Sequence, residues 1–209
     1  MSARQIGPLT GILFVVLVIV AFVVSGETPG TDDSPQSIVS FYLDNDSEQS
    51  IASALLALGC VAFLFFLGTL RRALRAAAGD EGGLSTVALL GGLMIVVGAS
   101  IFAGIGFTLG DAADDMPASA VLALNALNSD LFFPVAVGTA VFNLGLALAV
   151  LRHGGLPRPL GWVALVVGIV GLTPGGFFAF LATGIVVVWA SVVLAQRAAG
   201  PGPQQTTAA

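Results

Sequence analysis

Runs of about twenty apolar residues recur along this chain, parted by short polar stretches. That is the length of helix needed to cross the hydrocarbon core of a bilayer. Residues 7–25 form the first run and residues 50–70 the second, which Arg71, Arg72 and Arg75 close. Residues 84–109 form the third, long enough to tilt, and residues 131–151 the fourth, closed by Arg152. The apolar stretch 160–196 is too long for one span, and Thr173-Pro174-Gly175-Gly176 interrupts it. Proline lacks an amide donor and glycine weakens a helix, so the pattern predicts a hairpin of residues 160–172 and 177–195. Its first arm is short. Either that arm extends into the break, or the pair is re-entrant with protein covering its free backbone groups.

Two of the polar stretches carry their own helical signals. Ser34 suits an N-cap and Pro35 a first helical position. Ile38, Val39, Phe41 and Tyr42 follow at helical spacing, and Asp44-Asn45-Asp46 ends the run. Ile38, Phe41 and Tyr42 then either pack a cap onto the bundle or form an outer docking helix. Asp115-Met116-Pro117 opens a second outer helix over residues 118–129, with Val121, Leu122, Leu124 and Leu127 as its apolar positions. It is expected to run on into the fourth span, with Pro134 kinking the join.

The two halves share an order of parts. Gly11, Pro35 and Arg71 mark a span, an outer helix and the end of the next span; Gly92, Pro117 and Arg152 do the same about 81 residues later. Units that start and end on one side make a parallel repeat about an axis along the membrane normal.

Composition sharpens this pattern. Apolar types make up 56 % of the 209 residues and charged types only 9 %, against about 25 % charged in soluble domains. Too little charge is present for a soluble globule, and too much apolar surface for a disordered chain. The fold class expected is therefore all-α: a polytopic bundle of six transmembrane helices with two short extracytoplasmic helices. All seven basic residues are Arg, and the formal net charge is −5. That balance excludes a nucleic-acid partner, which calls for a basic patch. Arg without Lys, with abundant Ala, Gly and Val, fits a GC-rich genome, hence a bacterial plasma membrane.

On a six-span trace Arg4, Arg71, Arg72, Arg75, Arg152, Arg158 and Arg197 fall on one side. The positive-inside rule makes that side cytoplasmic, with both termini inside. Ten of the twelve acidic residues fall opposite, leaving Asp80 and Glu81 inside. A competing reading makes the first run a signal peptide cleaved near Val24-Ser25-Gly26. Residues 200–209 read as a disordered cytoplasmic tail.

Three short motifs carry a resemblance: Ser37-Ile38-Val39-Ser40-Phe41-Tyr42, Leu151-Arg152-His153-Gly154, and Leu156-Pro157-Arg158-Pro159-Leu160-Gly161-Trp162. In these the chain resembles an uncharacterised family of bacterial, actinobacterial-type six-helix integral membrane proteins of unknown function. The resemblance implies six spans and no particular activity, cofactor or site.

Chemistry-bearing residues are sparse. No span holds an Asp, Glu, Lys, Arg or His in its interior, where proton- or ion-coupled transporters usually carry one. Asn143, with Thr139 one turn away, is the costliest group to face lipid. It is expected to hydrogen-bond a neighbouring helix, or else to meet a ligand. Cys60 lies in an apolar run and His153 at a span boundary, so neither a metal site nor a Cys–His or Ser-His-Asp set is expected. Asp44-Asn45-Asp46-Ser47-Glu48 starts like a calcium loop but has Gln49 at the sixth position and Leu55 at the twelfth, where such loops need Gly and an acid. Arg71, Arg72 and Arg75 suit contact with anionic lipid headgroups or a partner protein. Small residues spaced by four, among them Gly7/Gly11, Ser100/Gly104, Gly106/Gly110, Gly145/Ala149 and Ala164/Gly168, favour close helix packing.

The expected function is non-enzymatic and without cofactor: a scaffold, accessory or regulatory subunit binding a partner or lipid. The alternative is a transporter or channel for a small neutral or lipophilic solute, with a cavity lined by Asn143 and Thr139. An enzyme would require an outer pocket gathering Asn125, Asn128 and Asp130.

Overall fold

A computed structural model of the chain describes residues 3–79 and 82–199. Asp80, Glu81 and the expected tail at residues 200–209 lie outside the described residues. Among the described residues all regular structure is helical: α1 (Ala3–Ser25), α2 (Pro35–Asp44), α3 (Asp46–Ala78), α4 (Gly83–Ala112), α5 (Ala118–Asp130), α6 (Phe132–His153), α7 (Arg158–Val170) and α8 (Gly176–Ala199). Five stretches are long and apolar enough to cross a membrane: Ile6–Ser25, α3, α4, the stretch Ala118–His153 that holds α5 and α6, and α8. The shorter α7 is apolar but spans only 13 residues, about 20 Å of helix. Large apolar side chains stand exposed along the flanks, Val23, Phe65, Phe133, Phe178 and Ile185 among them. In water so much exposed apolar surface would drive association; in a bilayer it is the solvated surface.

Local signals set the ends. The Ser34 hydroxyl accepts the Ser37 amide at 3.2 Å, and Pro35 opens α2. Only Asn45 separates α2 from α3. The junction of α5 and α6 differs from the sequence expectation. The break is at Leu131, and Pro134 does not kink a continuous helix. Pro134 sits in the first turn of α6, where its missing donor has no intrahelical partner to lose. After α6, Gly154 and Gly155 both take positive φ, 79° and 80°, a backbone that residues with a Cβ rarely adopt. These two turn the chain back into α7.

The helices pack as antiparallel neighbours in the order α1, α3, α4, α6, α7, with α8 against α1, α6 and α7. Rings link three of them: Phe14 stacks on Phe63 at 4.3 Å between centroids, and Phe63 meets Phe142 at 5.8 Å. The tightest seam joins α4 and α6. A Cβ on Gly91 would run into the Phe142 backbone. One on Gly138 would lie 2.7 Å from the Ile95 amide nitrogen, and one on Gly145 2.6 Å from that of Ala88. Glycine is required at these points because backbone meets backbone. Among the four-spaced small pairs, Gly104 has nothing within 4 Å of its Cβ position and faces outward.

Both halves run span, outer helix, span, and their outer helices touch. Their packing registers differ. Gly11 lies against Phe66 in the first half, and an offset of 81 would pair residue 92 with residue 147; the chain instead sets Gly91 on Phe142. The halves share an order of elements rather than a superimposable register.

Charge is sorted by end. The Arg197 guanidinium donates to the Gly155 carbonyl at 2.7 Å, and Gly155 abuts Ala73 and Ala77 of α3. Thus Arg71, Arg72, Arg75, Arg152, Arg158 and Arg197 share one end of the bundle. The ten acidic residues of α2, α5, their flanking loops and the adjoining ends of α3 and α4 are exposed at the other.

Candidate functional site

Between α1 and α8 the bundle is not closed. The two helices meet toward the Arg end, where Gly11 lies on Ser191. They meet again toward the acidic end, where Phe22 and Phe177 contact edge-on at 6.4 Å. Between these pinch points they part, leaving a cleft of about 560 Å³. Phe14, Val15, Val18 and Ile19 form one wall, and Phe180, Leu181, Gly184, Ile185, Val188 and Trp189 the other; Phe63, Ile95 and Thr183 make the floor. The volume is that of an ordinary ligand pocket. Ile19, Leu181 and Ile185 are exposed at its mouth, so it opens sideways on the apolar flank. The helix that forms one wall, α1, is the least buried of the long apolar helices, with 28 % of its apolar stretch covered.

The floor has one polar group. Thr183 donates to the Ala179 carbonyl and accepts from Asn143 Nδ2, both at 2.7 Å. Asn143 Nδ2 also donates to the Thr139 carbonyl at 2.9 Å. Asn143 therefore ties α6 to α8 behind the cleft and does not line it, and neither does Thr139; both are fully buried. The expected cavity lined by Asn143 and Thr139 is thus replaced by one whose lining is almost wholly apolar. Asn143 Oδ1 and the hydroxyls of Thr139 and Ser191 are buried without a partner, each a cost of about 1–3 kcal/mol. Sequence reading could not find the cleft, because its lining residues look like any other apolar span.

The acidic end is capped by α2 and α5. Ile38 and Tyr42 are buried and Phe41 is half-buried, so these side chains fasten the cap onto the bundle. The Tyr42 hydroxyl donates to Asn125 Oδ1 at 2.7 Å, and Asn125 reaches the Pro29 carbonyl. Asn125 is thereby occupied, while exposed Asp130 borders a different hollow beside Phe132 and Thr173. Asn125, Asn128 and Asp130 do not form one pocket.

Burial pushes the Tyr42 phenol up to about 12 from its ordinary 10. Only the neutral phenol is favoured by folding, so its contribution is whole below pH ~10 and is lost as pH rises through about 12. Because the chain has a single tyrosine, phenolate absorbance should titrate near 12 in the folded protein. A midpoint near 10 would mean an open cap.

Among the described residues no three His, Cys, Asp or Glu side chains converge as a metal site. At the Arg end, Arg71, Arg72 and Arg75 border a hollow with Gly68 and Leu89. No family model, no curated protein and no solved structure matches this chain.

Proposed function

We propose that this chain is a non-enzymatic, multi-pass membrane protein that holds a lipophilic molecule in the cleft between α1 and α8. The observation that carries the reading is the lateral opening: an apolar pocket whose mouth lies on the lipid-facing flank, pinched shut at both ends. A solute entering from water would have to pass the Gly11–Ser191 contact or the Phe22–Phe177 contact. One entering from the bilayer passes neither. This reading joins the lipid-binding expectation to the lipophilic-solute alternative. It leaves aside a docking role for α2, whose Ile38 and Tyr42 are buried in the cap.

The topology belongs to the same proposal. We take α7 as a sixth span, which sets both termini at the Arg end, and that end on the cytoplasmic side of a bacterial plasma membrane. Three contacts support a full crossing: Gly161 of α7 lies against Val150 and Leu151, Gly168 against Leu144, and Gly176 of α8 against Ala136. The hairpin thus follows α6 along nearly its whole length, and the turn ends one helical turn from Phe132.

Trp189 in the cleft wall supplies the test. With exposed Trp162 replaced by Phe, Trp189 is the sole reporter. A phosphatidylcholine brominated on one acyl chain should quench it saturably in detergent. Quenching that rises linearly without saturating would show collisions with the micelle and no site.

A further inference from the structure

At the Arg end two hollows meet over one glycine. The first, of about 520 Å³, is a groove between α1 and α3 lined by Ile6, Gly7, Thr10, Leu64, Phe65, Gly68, Thr69 and Arg72. Its two hydroxyls are already used: Thr10 donates to the Gly7 carbonyl and Thr69 to that of Phe65. The groove is therefore apolar along its length. The second, of about 340 Å³, lies toward α4 and is bordered by Arg71, Arg72 and Arg75. Gly68 and Arg72 line both. Gly68 is exposed, and a Cβ there would meet nothing within 4 Å. The boundary that the two hollows share at residue 68 therefore carries no side chain.

We infer that this surface seats an anionic phospholipid, its phosphate among Arg71, Arg72 and Arg75 and one acyl chain in the α1–α3 groove. The two hollows match the two parts of such a molecule in chemistry and order. Charge lies at the end of the bundle, and the apolar groove runs from Arg72 to Leu64, about 12 Å along α3 toward the middle of the span. Arg71 adds a second observation. Its Nε is buried without a hydrogen-bond partner, and the residue borders the hollow. Guanidinium groups match phosphate oxygens with paired N–H donors. A phosphate ion alone would leave the groove empty, and a neutral lipid would leave the guanidiniums uncompensated. The seat lies between α1, α3 and α4, away from the α1–α8 cleft, and stands whether or not that cleft binds a lipophile.

Native mass spectrometry of the full-length protein, delipidated in detergent, tests the seat. The probes are phosphatidylglycerol, phosphatidylcholine with matched chains, and inorganic phosphate. Phosphatidylglycerol should be retained in preference to phosphatidylcholine. The double variant Arg72→Gln/Arg75→Gln should lose about thirty-fold in phosphatidylglycerol affinity, at roughly one fifth remaining per arginine. Gly68→Leu should also weaken it while keeping every charge. Since residue 68 points into open space and leucine favours a helix, that variant should stay folded. Equal retention of the two lipids would overturn the seat, as would wild-type affinity in Gly68→Leu. Phosphate that competes away all phosphatidylglycerol binding, with Gly68→Leu unaffected, would show an anion site without a groove and overturn it too.

Discussion

Gly91→Leu should unfold or misassemble the bundle, whereas Gly104→Leu, thirteen residues along the same helix, should not. Leucine favours a helix over glycine by about 0.8–1 kcal/mol, so propensity alone would make both changes stabilising. At residue 104 nothing opposes that gain, because the Cβ position faces open space. At residue 91 the Cβ would strike the Phe142 backbone and the Val141 carbonyl carbon. A side chain can rotate away; backbone cannot move without separating α4 from α6. Overpacking costs about 1–3 kcal/mol where side chains can yield, and this contact belongs at or beyond the upper end. The cost exceeds the propensity gain severalfold. Thermal unfolding followed by size-exclusion chromatography should show Gly104→Leu at or above the wild-type midpoint and Gly91→Leu far below it or aggregated. Similar midpoints for the two would contradict the α4–α6 seam.

Gly184→Leu should close the cleft while leaving the bundle intact. The Cβ would rest 3.6 Å from the Val15 methyl carbon, an ordinary contact, and the branched end would project into the space between α1 and α8. In detergent a lipophilic occupant would exchange between an apolar cleft and an apolar micelle. What it loses is packing rather than hydrophobic transfer. A loss of about ten-fold in affinity, ~1.4 kcal/mol, is the expected scale. It should appear as weaker saturable quenching of Trp189, with the unfolding midpoint unchanged or slightly raised. The Asn143–Thr183 bridge offers a contrast. Asn143→Leu removes one interhelical hydrogen bond, worth about 0.6–1.7 kcal/mol in a membrane, and also removes the orphaned Oδ1. Thr183 still donates to Ala179, so its effect should fall on stability and be small.

The sequence made the spans legible because apolar runs of fixed length are a strong signal, and every long span expected has a helix over it. The capped start of α2 was equally readable, from Ser34 and Pro35. Helix contacts were less so. Small residues four apart marked close contacts at Gly7 and Gly11, Gly106 and Gly110, Gly145 and Gly168, but also Gly104, which touches nothing. The seam is built from pairs seven apart, Gly91 with Gly98 on α4 and Gly138 with Gly145 on α6. Two helical turns bring a residue back to the same face, so a spacing of seven carries the same packing signal as a spacing of four. The cleft was not legible at all. It exists because α1 and α8 diverge between two contacts made by residues far apart in the chain, and no local pattern encodes that. The same holds for Tyr42 and Asn125, whose hydrogen bond joins positions 83 residues apart.

Native mass spectrometry of the protein extracted in mild detergent, with no ligand added, tests the cleft most directly. The account predicts wild-type protein carrying a discrete lipophilic mass near one equivalent, and Gly184→Leu carrying much less of it at equal recovery. A bare wild-type protein, or a bound mass that Gly184→Leu retains in full, would contradict it.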